Sequence, residues 1–501
     1  MMPPQTTIGR WSARVTEACW VLALTMAPIV FNLYSARHFE PDKAALLRSL
    51  ALIAIAAVLI RWLDALVSRE SRPANLTPPA NAPPLWRRVA ALPLAVPVLF
   101  YALVYLLATA VSIVPGISFW GSYQRMQGTL THLSYIALFV AMVVTLHRAE
   151  QTERVITVSM AAGFAVAGYG VLQHLGLDPL PWRGDVITRV ASTMGNSIFV
   201  AAYMIMVVPL ALYRLVTESS AARTAPVSAH ARNEWLWALT RALLFGAGLL
   251  LVLALIKFGA AVRTVDFRYW WALPGAVVCA TALWWLLTIG YERAGRRLPW
   301  WPLLLLFGYL LALGAQFTAT ASAGLQVFVS PSTGGRALDW WLWLALGVLM
   351  ALGAYTLAHA LPRLPEQPSR LWRRWLAAEA GVVVVALLAA IFFTQSRGPW
   401  LGLGAGLFVF CSLLLWQAMR QARVAGNSVQ LRRLRALLIG WITAAALGAI
   451  FLLVFNLSQA PFMQQLREVP YLGRMGRLLE VDRGTGLVRR LIWFGDEHAG
   501  G

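Results

Sequence analysis

The chain has 501 residues, of which 59% are hydrophobic and 13% charged, with a formal net charge of +21. A soluble domain carries roughly a quarter charged residues, so the composition excludes an ordinary soluble enzyme. In a polar chain such a charge would suggest a nucleic-acid partner, but a mean hydropathy of +0.65 and 23 Trp point to lipid.

The apolar residues fall in blocks of about 20, the length of helix that crosses a bilayer core. They predict an all-α, polytopic membrane protein with about 13 transmembrane helices. The spans lie near 14–34, 44–62, 89–113, 129–146, 154–174, 196–214, 237–257, 270–290, 300–318, 340–361, 376–394, 399–417 and 437–456. Arg10 and Arg14 precede the first block as in a signal peptide, but no small-x-small site follows, so the first span is read as uncleaved. The segment 71–84 is Pro-rich and reads as an extended linker. Connections on one side of this topology carry most of the arginine, as in 418–436 with Arg420, Arg423, Arg432, Arg433 and Arg435. The positive-inside rule places that side, and the N-terminus, in the cytoplasm. Residues 1–456 form the transmembrane helical domain. Residues 457–501 are polar and amphipathic, and read as the start of a large periplasmic or extracellular loop.

Within the spans, Glu17, Asp64 and Glu379 lie near cytoplasmic ends, where a carboxylate reaches the interface more readily than it serves a proton relay. Cys19, Cys279 and Cys411 sit in separate apolar runs and read as small buried hydrophobes. Trp20, Trp120, Trp300, Trp301, Trp340 and Trp341 lie near span ends, as in an interfacial belt. Gly402 and Gly406 have the spacing of close helix packing. No phosphate-cradling P-loop, D-x-D, H-x-x-x-H or G-x-S-x-G occurs. ATP hydrolysis, a metal-bound nucleotide sugar, a zinc site and a serine nucleophile therefore have no sequence support; no metal and no cofactor are expected.

The informative polar residues lie in the outside loops. These are FEPDK (39–43), GSYQRMQG (121–128) with Arg125, DPLPW (178–182), RVASTMGN (189–196) with Arg189, TQSRGPWLG (394–402) with Arg397, and GTGLVRRLIW (484–493) with Arg489, Arg490 and Trp493. Most set an Arg beside Gly, Ser or Thr. Arginine is always charged, its planar fork binds two phosphate oxygens, and small neighbours let backbone N–H groups approach the same anion. Arginine outside also runs against topology, which favours a function. Trp182 and Trp400, beside these loops, are the candidates for sugar contact.

SRGPWLG between two late spans, followed by another span and an outside segment with R-x-x-x-W (Arg489 to Trp493), resembles the O-antigen ligase and polymerase superfamily. RVASTMGN resembles the loop in which Gly-Asn opens a span, with Ser197 and Ile198 where the family often has Pro-Asn. FEPDK, GSYQRMQG and DPLPW look like a subgroup of large, Arg-rich bacterial members. The resemblance runs from about residue 30 to 493.

It implies a multi-pass protein of the bacterial cytoplasmic membrane. The implied activity is glycan transfer from an undecaprenyl-pyrophosphate carrier to the hydroxyl of a glycan, lipid or protein acceptor at the outer face. Arg397 and Arg489 match the positions taken to hold the donor pyrophosphate; Arg125 and Arg189 are added to that set. The family's proposed base is a His in a His-Asn segment beyond R-x-x-x-W. Here the chain stops eight residues after Trp493, and none of its seven His precedes an Asn. The expectation is a truncated or frame-interrupted member, or one lacking the acceptor half of the site, that binds donor and transfers it poorly. No catalytic base is assigned. A transporter or flippase of a polyprenyl-linked or other lipid, and an inactive scaffold, are the competing readings.

Overall fold

The computed structural model describes residues 6–31, 39–70, 94–176, 178, 184–228, 231–232, 234–239, 241–242, 368–469 and 471–477. Among the described residues the chain is helical, without strands. The helices are α1 (Thr7–Ile29), α2 (Pro41–Glu70), α3 (Ala95–Ala110), α4 (Pro115–Trp120), α5 (Thr129–Thr145), α6 (Ala149–His174) and α7 (Ser197–Thr224). After residue 242 the description resumes with α8 (Arg370–Phe393), α9 (Arg397–Val424), α10 (Ser428–Leu457) and α11 (Pro461–Glu468). Two short 3-10 turns cover Ser192–Met194 and Leu472–Arg477.

Local chemistry sets where the helices begin. Thr6, Asn196, Ser369 and Asn427 accept bonds from backbone N–H groups of the first turns of α1, α7, α8 and α10. Each thereby satisfies one donor that a helix start leaves without a partner. Pro41 opens α2 and Pro461 opens α11, where a missing N–H costs nothing.

Six of these helices, α2 and α6 to α10, are long and apolar enough to cross a membrane. The chain is therefore a membrane protein. Helices α1, α3 and α5 occupy three more of the spans expected from sequence; α3 and α5 have 16 and 17 residues. Of the four spans expected between 237 and 361, only residues 237–239 and 241–242 are described; the rest lie outside the described residues.

The centre of the fold is α6, α7 and α8, joined through Val166, Met204, Val208, Val383, Leu387 and Ile391. A second cluster joins α1, α2 and α5 through Cys19, Leu50, Ala54, Leu138 and Ala141. The α9–α10 hairpin leans on α7, with Gly402 facing Ile205. A Cβ at Gly402 would come within 3.1 Å of the Ile205 side chain, whereas one at Gly406 would meet nothing, so only Gly402 packs closely.

The two ends of the bundle differ. One end is ion-paired. Glu17 accepts from Arg154 (2.6 Å) and Gln151 (2.9 Å), and Arg214 bridges Glu153 (2.7 Å) and Glu218 (3.5 Å). Arg373 also reaches Glu218 (3.0 Å), Arg241 pairs with Glu379, and Thr6 donates to Asp64 (2.5 Å). Trp20 is a correction to the belt expected from sequence. It is 2% exposed and donates from Nε1 to Thr145 Oγ1 (3.2 Å), because α1 is packed between α2 and α6. Trp120, 60% exposed, keeps a surface position at the other end. That other end gathers the loops.

Candidate anion site at the loop end

Three segments meet above α6, α7 and α8. The first is the connection from α6 to α7. Asp178 accepts from Tyr169 Oη (2.7 Å) and Gln173 Nε2 (2.9 Å), while Gln173 Oε1 accepts from the Ser192 amide (2.7 Å). Ser192 Oγ donates to the Val166 carbonyl (2.7 Å). The loop is thus tied down on the end of α6 before it turns into α7. Gly195 makes that turn at φ +70°, with the Phe39 ring filling the space a Cβ would need. Asn196 then caps α7 on the Ile198 amide (2.9 Å). This is the physical content of the Gly-Asn pair. Arg189, earlier in the loop, donates to Ser197 Oγ (2.8 Å), and its Nε is buried without a hydrogen-bond partner among the described residues.

The second segment is the turn Thr394–Ser396 between α8 and α9. All three residues are buried. Gln395 adopts a left-handed backbone (φ +49°) and donates from Nε2 to the Thr188 carbonyl (3.0 Å). The Val190 amide donates to the Phe393 carbonyl (3.4 Å), so the turn and the 184–196 loop lie side by side. Arg397, half-buried, opens α9.

The third segment is the 3-10 turn Leu472–Arg477. Arg474 donates to the Gln395 carbonyl (3.1 Å), and Arg397 donates to the Arg477 carbonyl. Two arginines thereby cross-tie the segments. Aromatic rings add to the tie: Tyr471 stacks on Phe392 (4.6 Å), and Phe392 is parallel to Trp400 (5.8 Å). Burial, and then the charge of Arg189, hold the Arg474 guanidinium below its ordinary range. Arg189, Arg397 and Arg474 thus share one network of contacts, and positive charge is concentrated where a dianion would relieve it.

The sequence-derived residues fall out as follows. Arg189 and Arg397 are brought into this network. Arg125 is exposed and pairs with Glu40 (3.5 Å) in the adjoining cluster. That cluster touches the first through Lys43, whose Nζ donates to the Thr193 carbonyl (2.9 Å), and through Thr193 Oγ1, which donates to the Pro28 carbonyl (2.6 Å). Arg489, Arg490, Trp493 and Trp182 lie outside the described residues. Trp400 uses its N–H on the Ile391 carbonyl (2.9 Å), which assigns the ring to the turn.

Sequence reasoning placed Lys43 in the informative FEPDK loop but missed Arg474 and Arg48. Arg48 donates to Thr131 Oγ1 (2.8 Å) and to the carbonyls of Trp120 (2.7 Å) and Met126 (2.8 Å), which holds the 120–131 loop on α2. Its position inside an apolar block was the available signal, since a charge there needs partners. Arg474 had no motif to mark it.

Among the described residues, no three His, Cys, Asp or Glu side chains group closely enough to share a metal ion. A cavity of about 300 Å³ beside Trp372, Trp375 and the Arg241–Glu379 pair lies at the ion-paired end, away from these arginines. No protein-family model matches the chain, and comparison with curated proteins and with solved structures returns no match.

Proposed function

We propose that the protein is a glycan transferase of the O-antigen ligase type, acting on an undecaprenyl-pyrophosphate-linked donor at the outer face of a bacterial cytoplasmic membrane. The observation that carries the reading is the meeting of Arg189, Arg397 and Arg474 from three separate loops at one end of a transmembrane bundle. Topology disfavours arginine on the outside. A charge cluster kept there, supported by left-handed turns at Ser192, Gln395 and Tyr471, has the character of a functional site.

In the reaction an acceptor hydroxyl oxygen bonds to the anomeric carbon of the donor sugar as the carbon–oxygen bond to pyrophosphate breaks. The hydroxyl proton passes to solvent water, no side chain being assigned as base, and undecaprenyl pyrophosphate departs with the bonding electron pair. Arg189, Arg397 and Arg474 bind the pyrophosphate and stabilise the negative charge that grows on it, usually the largest catalytic contribution in such a step. The order of S-R-G and R-x-x-x-W in the sequence favours this donor, and Arg489 joins the same set in the proposal.

The test is glycan transfer from an undecaprenyl-pyrophosphate donor in proteoliposomes. Arg397→Lys and Arg474→Lys are each expected to lower the rate about 10²-fold, in line with loss of one oriented donor. Size-exclusion behaviour should be unchanged. Movement of the donor between leaflets without transfer, or full transfer by both variants, sinks the reading.

A further inference from the structure

We propose that the α9–α10 hairpin holds an anionic phospholipid at the end of the bundle opposite the loop arginines. The site is independent of the glycan reaction.

A groove of about 930 Å³ runs along the hairpin, lined by Cys411, Leu414, Leu415, Leu437, Gly440 and Trp441. Small residues at 436, 440 and 444 leave the α10 wall low. Trp441 is fixed on the opposite wall by its bond to Ser412 Oγ (3.3 Å) and its stacking on Phe408. From Arg433 to Ala444 the groove extends about 16 Å along α10, much of the length of an acyl chain.

Arg433 lines the mouth. Around it stand Arg420, Arg423, Arg432 and Arg435, all exposed. None of the five side chains has an ion pair or a hydrogen bond among the described residues, and residues 397–457 contain no Asp or Glu. Helix electrostatics explains only one of them. Arg423, in the last turn of α9, favours its C-terminal dipole. Arg432, Arg433 and Arg435 are the fifth, sixth and eighth residues of α10, near its N-terminal end, where no dipole attraction favours a cation. Arg433 at the groove, with Arg432 and Arg435 beside it in the chain and no acidic residue on either helix, suits a phosphate above and a hydrocarbon chain below. Basic pockets between membrane helices take such headgroups.

A second copy of the chain is a poor occupant. Two-fold packing of this face on itself would oppose the same arginines across the interface. An anionic lipid neutralises them and fills the groove in one step.

The experiment is lipid retention by the purified full-length protein in native mass spectrometry, with dioleoyl phosphatidylglycerol against dioleoyl phosphatidylcholine. The wild type should retain the anionic lipid about tenfold better. R432Q/R433Q/R435Q should lose that preference, and G440L, with every charge kept, should lose it too because the groove is filled. Circular dichroism and elution volume confirm that each variant is folded. A misfolded variant is replaced by competition on the wild type, in which excess phosphatidylglycerol must displace a brominated analogue. Equal retention of the two lipids by the wild type overturns the proposal. So does undiminished retention by G440L, which would leave only a diffuse charge effect, or a dimer that excludes the lipid.

Discussion

Gly195 answers a conformational and a steric demand together. Its φ of +70° is open to glycine without strain, and the Phe39 ring stands where any side chain would begin. Gly195→Ala should destabilise the loop by about 1–3 kcal/mol. The measurement is the temperature of half-loss of monodisperse protein, together with donor binding; an unchanged value for both would refute the account. Gln395 carries the opposite arrangement, a left-handed backbone in a residue with a Cβ, held by Thr188 on one side and Arg474 on the other. The Gly-Asn pair was legible through the resemblance of RVASTMGN to a loop that opens a span. The strain at Gln395 could not, since it exists only once two distant segments press on the turn.

Among elements, the apolar blocks located nine of the described helices, α1 to α3 and α5 to α10, because hydrophobic length is a local property. The bounds shifted where polar residues extend a helix beyond its apolar part: α10 begins at Ser428, and the sequence placed its span from about 437. The links between helices were not legible. Arg214 is buried and joins Glu153 on α6 to Glu218 on its own helix, while Glu218 also receives Arg373 from α8. Only the Arg214–Glu218 pair has a helical i,i+4 spacing; the links to Glu153 and Arg373 have no mark in the sequence. Removing Arg214 leaves Glu153 half in solvent and Glu218 with Arg373 alone, so Arg214→Ala should cost about 1.5–3 kcal/mol. Arg154→Ala, at a pair whose Arg side chain is 47% exposed, should cost at most about 1 kcal/mol. Thermal inactivation in detergent ranks the two, and equal losses would contradict the distinction.

For the molecule as a whole, the bundle fixes which segments share an end, and arginine counting assigns that end to a compartment. A cysteine at Tyr123 should react with a membrane-impermeant maleimide in intact cells. A cysteine at Gly426 should react only after the membrane is opened. Labelling of both from the same side would overturn the topology. The candidate site was partly legible because Arg189 and Arg397 carry local context, while Arg474 gains meaning only from the contacts of folded loops.

The cross-tie between Arg397 and the Arg477 carbonyl, with Arg474 on Gln395, also sets a schedule. During synthesis the 188–196 loop and the 394–396 turn leave the ribosome before the segment that joins them. Gln395 can already meet Thr188, but the bonds of Arg474 and Arg397 wait until the turn Leu472–Arg477 follows. The arginine cluster is therefore completed only after α10 has been made.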